Sequence, residues 1–275
     1  MAFITVGKEN SADIQLYYED RGSGKPVLLV HGWPLNGGAW ERQSAMLLAA
    51  GFRVITYDRR GFGRSSAPEA GYDYDTFAGD TAKIIDTLGL RDLALVGFSM
   101  GGGEVARYMS KYNGKGVAKC AFISSIAPAL RKDGNNPDGV DPSVFEGIKQ
   151  GIEHDRFAFL GEFFANFYNK DQTKISDAAL DASFNVAAGS SYGAMLKCVD
   201  AWLEDFRPDV KTITVPTLVV HGDADRIVPA EASGKRMPQF VKHAQLHVIK
   251  NAPHGCTWTH ATEVNKALLE FVLTA

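Results

Sequence analysis

The sequence predicts an α/β protein, a doubly wound and mostly parallel sheet carrying an inserted helical cap. Three observations predict it. The runs Leu28 to Val30, Ala94 to Val96 and Thr217 to Val220 show no polar alternation, as strands covered on both faces do in a parallel sheet. Between such runs lie stretches whose apolar residues recur at three- and four-residue spacing, the period of an amphipathic helix. From about Pro128 to Arg207 the strand runs stop, and the chain reads as helical. Residues 1–275 are therefore expected to form one domain, with the cap at about 128–207.

The elements follow in order. Strands are expected at Ile14 to Tyr18, Val27 to Val30 and Val54 to Tyr57. A helix is expected over Tyr74 to Leu88, where Phe77, Thr81, Ile84, Ile85 and Leu88 share a face, Thr76 can cap the start and Gly89 can end it. The strand Leu93 to Val96 feeds a helix through Val105, Ala106 and Met109. The run Asn135-Asn136-Pro137-Asp138-Gly139 marks a loop before the cap helices. Eleven of the 64 residues from Ser143 to Phe206 are aromatic, about 17% against 11% for the whole chain, so the lid should make an apolar pocket. Phe98, Phe159, Phe163 and Trp202 are expected in its wall with Trp33 and Ile227. Strand and helix resume at Thr214 and run to the end.

Charge and cysteine usage exclude several classes of function. Lys plus Arg is 29 and Asp plus Glu is 32, a net charge of −3, without the basic footprint that nucleic acid requires. Cys120, Cys198 and Cys256 are an odd number, far apart, and indicate neither a disulfide framework nor a zinc ribbon. No apolar run approaches the ~20 residues of a membrane span, and Met1 to Gln15 lack an export signal. A cytoplasmic protein with no membrane partner is expected. Gly61-Phe62-Gly63-Arg64-Ser65-Ser66 lacks the last glycine of a dinucleotide fingerprint. His243 and His247, four apart, have no companion carboxylate for a zinc site.

One pentapeptide carries chemistry. Gly97-Phe98-Ser99-Met100-Gly101 fits G-x-S-x-G, and it follows a strand and opens a helix. A serine there stands on a sharp turn, and the helix N-terminus beyond it favours developing negative charge. The hydroxyl is a weak nucleophile and needs a base oriented by an acid. His254, in the loop Ala252-Pro253-His254-Gly255, is the base favoured over His31, His154, His221, His243, His247 and His260, because it follows the last strand run. For the acid, Asp223 and Asp225 both follow the strand ending at Val220. Asp58 is a third candidate, but its neighbours Arg59 and Arg60 predict a structural ion pair instead. Attack on a carbonyl makes an oxyanion, which backbone N–H groups can bind. Met100, after the nucleophile, and Trp33, in the loop after Val30, are the expected donors, with Pro34 holding Trp33 extended.

These residues, with Gly22-Ser23-Gly24-Lys25-Pro26, Asp58-Arg59-Arg60-Gly61-Phe62-Gly63-Arg64-Ser65, Tyr72-Asp73-Tyr74-Asp75-Thr76-Phe77 and Gly97 to Gly103, closely resemble the cofactor-free haloperoxidase, perhydrolase and aryl esterase branch of the α/β-hydrolases. The likeness runs nearly end to end and is weakest in the cap. It implies the α/β-hydrolase fold, a triad of Ser99, Asp225 and His254, and an oxyanion hole from Trp33 and Met100. It also implies no haem, vanadium or other metal, and no cofactor. The implied substrates are small aryl or alkyl esters with water, or a carboxylic acid with hydrogen peroxide, which gives a peracid able to oxidise halide. Members with a proline after the oxyanion aromatic resemble the more perhydrolytic ones, and Pro34 stands there. A homo-oligomer is compatible with the resemblance. The same triad would also serve a lactamase or a C–C bond hydrolase, and the same fold a small-ligand sensor.

Overall fold

The computed structural model describes residues 2–274. An eight-stranded sheet is built from β1 (Ala2–Glu9), β2 (Ala12–Arg21), β3 (Pro26–Val30), β4 (Arg53–Tyr57), β5 (Leu93–Phe98), β6 (Val117–Ile123), β7 (Thr217–Gly222) and β8 (Gln245–Ile249). Their spatial order is β1-β2-β4-β3-β5-β6-β7-β8. Strands β1 and β2, and β2 and β4, pair antiparallel, and every other pair is parallel. The apolar runs of the sequence place the first strand at Ile14; β1 precedes it, and only one of its side chains, Ile4, is buried. An edge strand with so little burial carries a weak apolar signal.

The helices are α1 (Glu41–Ala49), α2 (Tyr74–Thr87), α3 (Met100–Lys111), α4 (Pro142–Phe167), α5 (Asp177–Ala188), α6 (Tyr192–Ala201), α7 (Arg207–Val210), α8 (Met237–Phe240), α9 (Cys256–Thr259) and α10 (Ala261–Leu273). None among the described residues is long and apolar enough to cross a membrane. The apolar face of α2 includes Phe77, Thr81, Ile84 and Ile85, all buried, as its periodicity requires. Its cap is not Thr76, however. Asp73 is extended and its Oδ1 accepts the Thr76 N–H at 2.8 Å, so the helix starts earlier than a Thr76 cap would place it. A carboxylate three residues before the free N–H is the better placed acceptor.

The interior of the sheet is fully buried: every residue of β5, and Val27 to Val30 of β3, are inaccessible to solvent or nearly so. From β3 the chain goes to β4 on one side and then crosses to β5 on the other. That reversal leaves a crevice at the carboxyl ends of β3 and β5, where open α/β sheets bind ligands. Helices α4 to α7 lie between β6 and β7 in the chain. The two ends of this insertion meet, because the Phe206 N–H donates to the Pro128 carbonyl at 3.0 Å. Helix α4 is broken at Asp155 (φ −155°, ψ 94°), whose carboxylate caps the second half through the N–H groups of Phe157 and Ala158.

Candidate active site

Ser99 joins β5 to α3 with φ 54° and ψ −120°, a region that side chains other than glycine's rarely occupy. Its neighbours explain how the chain tolerates this. A Cβ on Gly97 would lie 2.5 Å from the Gly101 carbonyl oxygen, and one on Gly101 would lie 2.3 Å from that of Val30. A Cβ on Gly32 would come within 2.8 Å of Ser99 Cβ. Only glycine lets the turn close on itself and the loop after β3 pass beside the serine.

The three expected side chains converge. The Ser99 hydroxyl donates to His254 Nε2 at 2.9 Å, and His254 Nδ1–H donates to Asp225 Oδ2 at 2.7 Å. Asp225 accepts only, so it sets the imidazole tautomer that leaves Nε2 free to receive the serine proton. The other oxygen of Asp225 accepts the N–H groups of Ile227 and Val228 at 2.9 and 2.8 Å. Burial opposes the charge of Asp225, but the His254 and His221 imidazoles outweigh it and hold the carboxyl well below the usual carboxylate range. His221 enters the sequence reading only as a rival base, yet it is a neighbour of the acid. Its Nε2–H donates to the Val228 carbonyl at 2.8 Å and lies 3.3 Å from Asp225 Oδ2.

The rivals sit in other structural roles. Asp223 accepts the Asn251 N–H at 2.6 Å. Asp58 does not pair with Arg59 or Arg60; it accepts the N–H groups of Gly37 and Arg64, each at 2.8 Å. The arginines point to Glu104 and Asp80, partners 45 and 20 residues away that adjacency in the chain could not reveal. His31 is buried and its Nε2 accepts the Arg59 N–H at 2.9 Å. His154, His243 and His247 are exposed. Cys256 is buried, 3.4 Å from the Ser124 hydroxyl, and burial pushes its thiol up to about 12, so it is not a nucleophile near neutrality.

A cavity of about 40 Å³ opens beside Ser99, lined by Trp33, Phe163, Trp202 and Ile227 from the expected wall and by Met100, expected only as a backbone donor. Phe98 and Phe159 do not line it. Phe98 faces away, its ring 5.1 Å from that of His254 and 6.1 Å from those of Trp40 and Phe167. Phe159 backs the wall, 6.4 Å from Trp33 and 5.9 Å from Phe163. The rest of the lining lies outside the expected wall: Ile126 and Leu130 after β6, Val140 just before α4, Val228 beside Asp225, and Val144, Phe145 and Ile148 on the first half of α4, of which Phe145 is one of the aromatics counted in the lid. The spacing of Phe145 and Ile148 marks a helix face, but not the object it faces. The Trp33 ring is fixed by a hydrogen bond from Nε1 to the Met195 carbonyl at 3.3 Å and by edge contacts to Phe163 and Trp202. A larger cavity, of about 290 Å³, lies between α5 and residues 35–41, with Phe167 and Trp258 in its wall.

A strand, a strained serine turn, a helix and a following acid and histidine define an α/β-hydrolase arrangement. The alpha/beta hydrolase fold family profile matches residues 25–261, and the chain belongs to that family. Within it, the chain belongs with the non-heme haloperoxidases and esterase/perhydrolases. A Synechocystis sp. protein, provisionally named a non-heme chloroperoxidase, is 52% identical over 99% of this chain and 100% of its own length. The bifunctional esterase/perhydrolase DCH of Acinetobacter calcoaceticus is 35% identical over 94% of this chain and 96% of its own. The crystal structure of bromoperoxidase from Bacillus anthracis superposes with a TM-score of 0.96 at 45% identity, over 99% of both chains.

Proposed function

We propose that this protein is a serine hydrolase that takes the acyl group of a small carboxylic ester onto Ser99 and passes it to water or to hydrogen peroxide. The observation that carries the reading is the unbroken relay from Ser99 Oγ through His254 to buried Asp225, at 2.9 and 2.7 Å, beside an apolar cavity. Its perhydrolase relative's name supplies the peroxide branch.

In this reading His254 Nε2 takes the Ser99 proton as Oγ attacks the ester carbonyl, and then gives it to the departing alcohol. Asp225, kept ionised, stabilises the imidazolium that forms between the two steps. The N–H groups of Trp33 and Met100 receive the oxyanion. Met100 is the first residue of α3, so its N–H has no carbonyl one turn back and is available. In the second half, water or peroxide loses a proton to His254 and attacks the acyl carbon. Ser99 leaves with that proton, and the product is the acid or the peracid. A peracid released next to halide oxidises it and returns the carboxylic acid.

The cavity supports a short acyl group. About 40 Å³ is room for about three water-sized groups, the size of an acetyl or propionyl chain. The enzyme is proposed to act as one domain with about 128–207 as its cap, on small-molecule substrates and in the cytoplasm. A matched assay tests the function: p-nitrophenyl acetate hydrolysis, and acetate with peroxide and bromide, on wild type and Ser99→Ala. Both activities should fall together, by about 10⁶-fold in turnover. A Ser99→Ala protein that retains either one refutes the acyl-serine route for that reaction.

A further inference from the structure

We propose that the buried Arg59–Glu104 ion pair is a positioning device for the oxyanion hole, setting the separation of the Trp33 and Met100 N–H groups without touching substrate. The inference rests on the acyl-serine reading above and deepens it. The two donors come from separate segments: Trp33 from the loop after β3, Met100 from the start of α3. Nothing in either segment alone fixes the distance between them.

The ion pair joins the two. Glu104 lies one turn into α3 from Met100. Its Oε2 accepts Arg59 Nε–H at 2.9 Å, and its Oε1 accepts the hydroxyls of Thr81, at 2.6 Å, and Tyr57. Arg59 in turn grips His31, two residues before Trp33, twice. Its Nη2 donates to the His31 carbonyl at 2.9 Å, and its backbone N–H donates to His31 Nε2 at 2.9 Å. Burial and the charge of Arg59 keep the His31 ring neutral, so Nε2 stays an acceptor. The first turn of α3 already rests on this loop, since a Cβ on Gly101 would lie 2.9 Å from the His31 carbonyl oxygen. A chain of directed hydrogen bonds thus runs from one donor segment to the other.

Stability alone is a poor reason for such a pair. Both side chains are 1% exposed, and removing two charges from water costs enough that apolar residues of similar volume often do as well. Arg59 Nη1 is also buried without a partner, a cost a merely stabilising contact would avoid. What apolar residues cannot supply is direction, and an oxyanion hole is sensitive to it: a misplacement of about 1 Å costs about 100-fold in rate.

The test compares wild type, Glu104→Gln, and the double variant Arg59→Met/Glu104→Leu, which removes both charges together and so spares the fold an unpaired one. Turnover of p-nitrophenyl acetate is measured per active site, counted from the initial burst. Phenylboronic acid, which forms a tetrahedral adduct on a reactive serine, reads the oxyanion hole directly. We expect kcat per site to fall about 100-fold with KM little changed, and boronate affinity to fall in parallel, while the double variant melts near the wild-type temperature. Glu104→Gln carries the test should the double variant fail to fold. Wild-type turnover per site in a folded variant, or a fall in kcat with boronate affinity intact, overturns the proposal. Ser99→Ala keeps the two readings apart. If it is inactive while the ion-pair variants behave as wild type, only the positioning role fails; if it is active, the acyl-serine reading fails.

Discussion

The rim of the sheet and the helices above it are built on opposite principles. At the rim, each proposed catalytic side chain stands within a few residues of a strand end, on backbone that other backbone holds. The Ser99 N–H donates to the Ile123 carbonyl at 2.9 Å, the Ser124 N–H to that of Val220 at 2.8 Å, and Asp225 is anchored by two N–H groups of its own loop. In the cap, the wall of the cavity is apolar side chains, carried on a helix broken at Asp155 and, for Trp202, at the end of α6, with α5 between them, where only Ala187 is buried. Chemistry that needs angles is placed where hydrogen bonds set angles. Selectivity, which needs only volume and apolar character, is left to side chains that can be exchanged one at a time.

Substitutions on each side of that divide sharpen it. At the rim, Asp225→Asn should lower kcat for p-nitrophenyl acetate by about 10⁴-fold, because an amide can hold His254 in the wrong tautomer. It should also change the acid response. The Asp225 carboxyl titrates in the folded chain below its ordinary value of 3.8, so the unfolded chain binds that proton more tightly. The stability it contributes is complete above that value and is lost as pH falls toward the folded one. Urea midpoints of wild type and Asp225→Asn should therefore converge as pH is lowered from about 5 to about 2; a gap that stays constant over that window would remove the linkage.

In the cap, Ile148→Ala should leave the burst intact and move the preference between butyrate and acetate esters toward butyrate by about tenfold, the scale of a methylene or two in an apolar pocket. A uniform loss on both esters would mean that α4 supports the chemistry as well as the fit, and the contrast would break. The smallest effect belongs to Cys256, two residues from His254 in sequence yet buried against Ser124. Cys256→Ser should keep activity within about twofold of wild type. Inactivation approaching that of Ser99→Ala would assign the thiol a role that its geometry does not support.

Much of the rim is legible in the amino-acid sequence. Ser99 is marked by glycines that only a tight strand-to-helix turn requires, and His254 by its place after the last strand run. Asp225 is separated from Asp223 by family resemblance alone. The fold supplies the physical difference: Asp223 is occupied by the Asn251 N–H, while Asp225 faces His254. The ion pair expected at Asp58 does not form, because charged neighbours in a chain need not be partners in space. The cavity wall is only half legible for a related reason. An aromatic count says that a lid is apolar, yet Phe98 faces elsewhere and Phe159 lies behind the wall, while Phe145, Ile148, Ile126 and Leu130 line the cavity.

Local chemistry along the chain is enough to specify the strands, the serine turn and the order of acid and base, because these depend on apolar runs and on backbone freedom within a few residues. Three-dimensional packing alone settles which carboxylate meets which cation, which rings line the cavity beside Ser99 and how the loop after β3 is tied to α3. Those outcomes depend on contacts such as Arg59 with Glu104, 45 residues apart, and the packing of a whole sheet stands between such residues and any pattern their spacing could show.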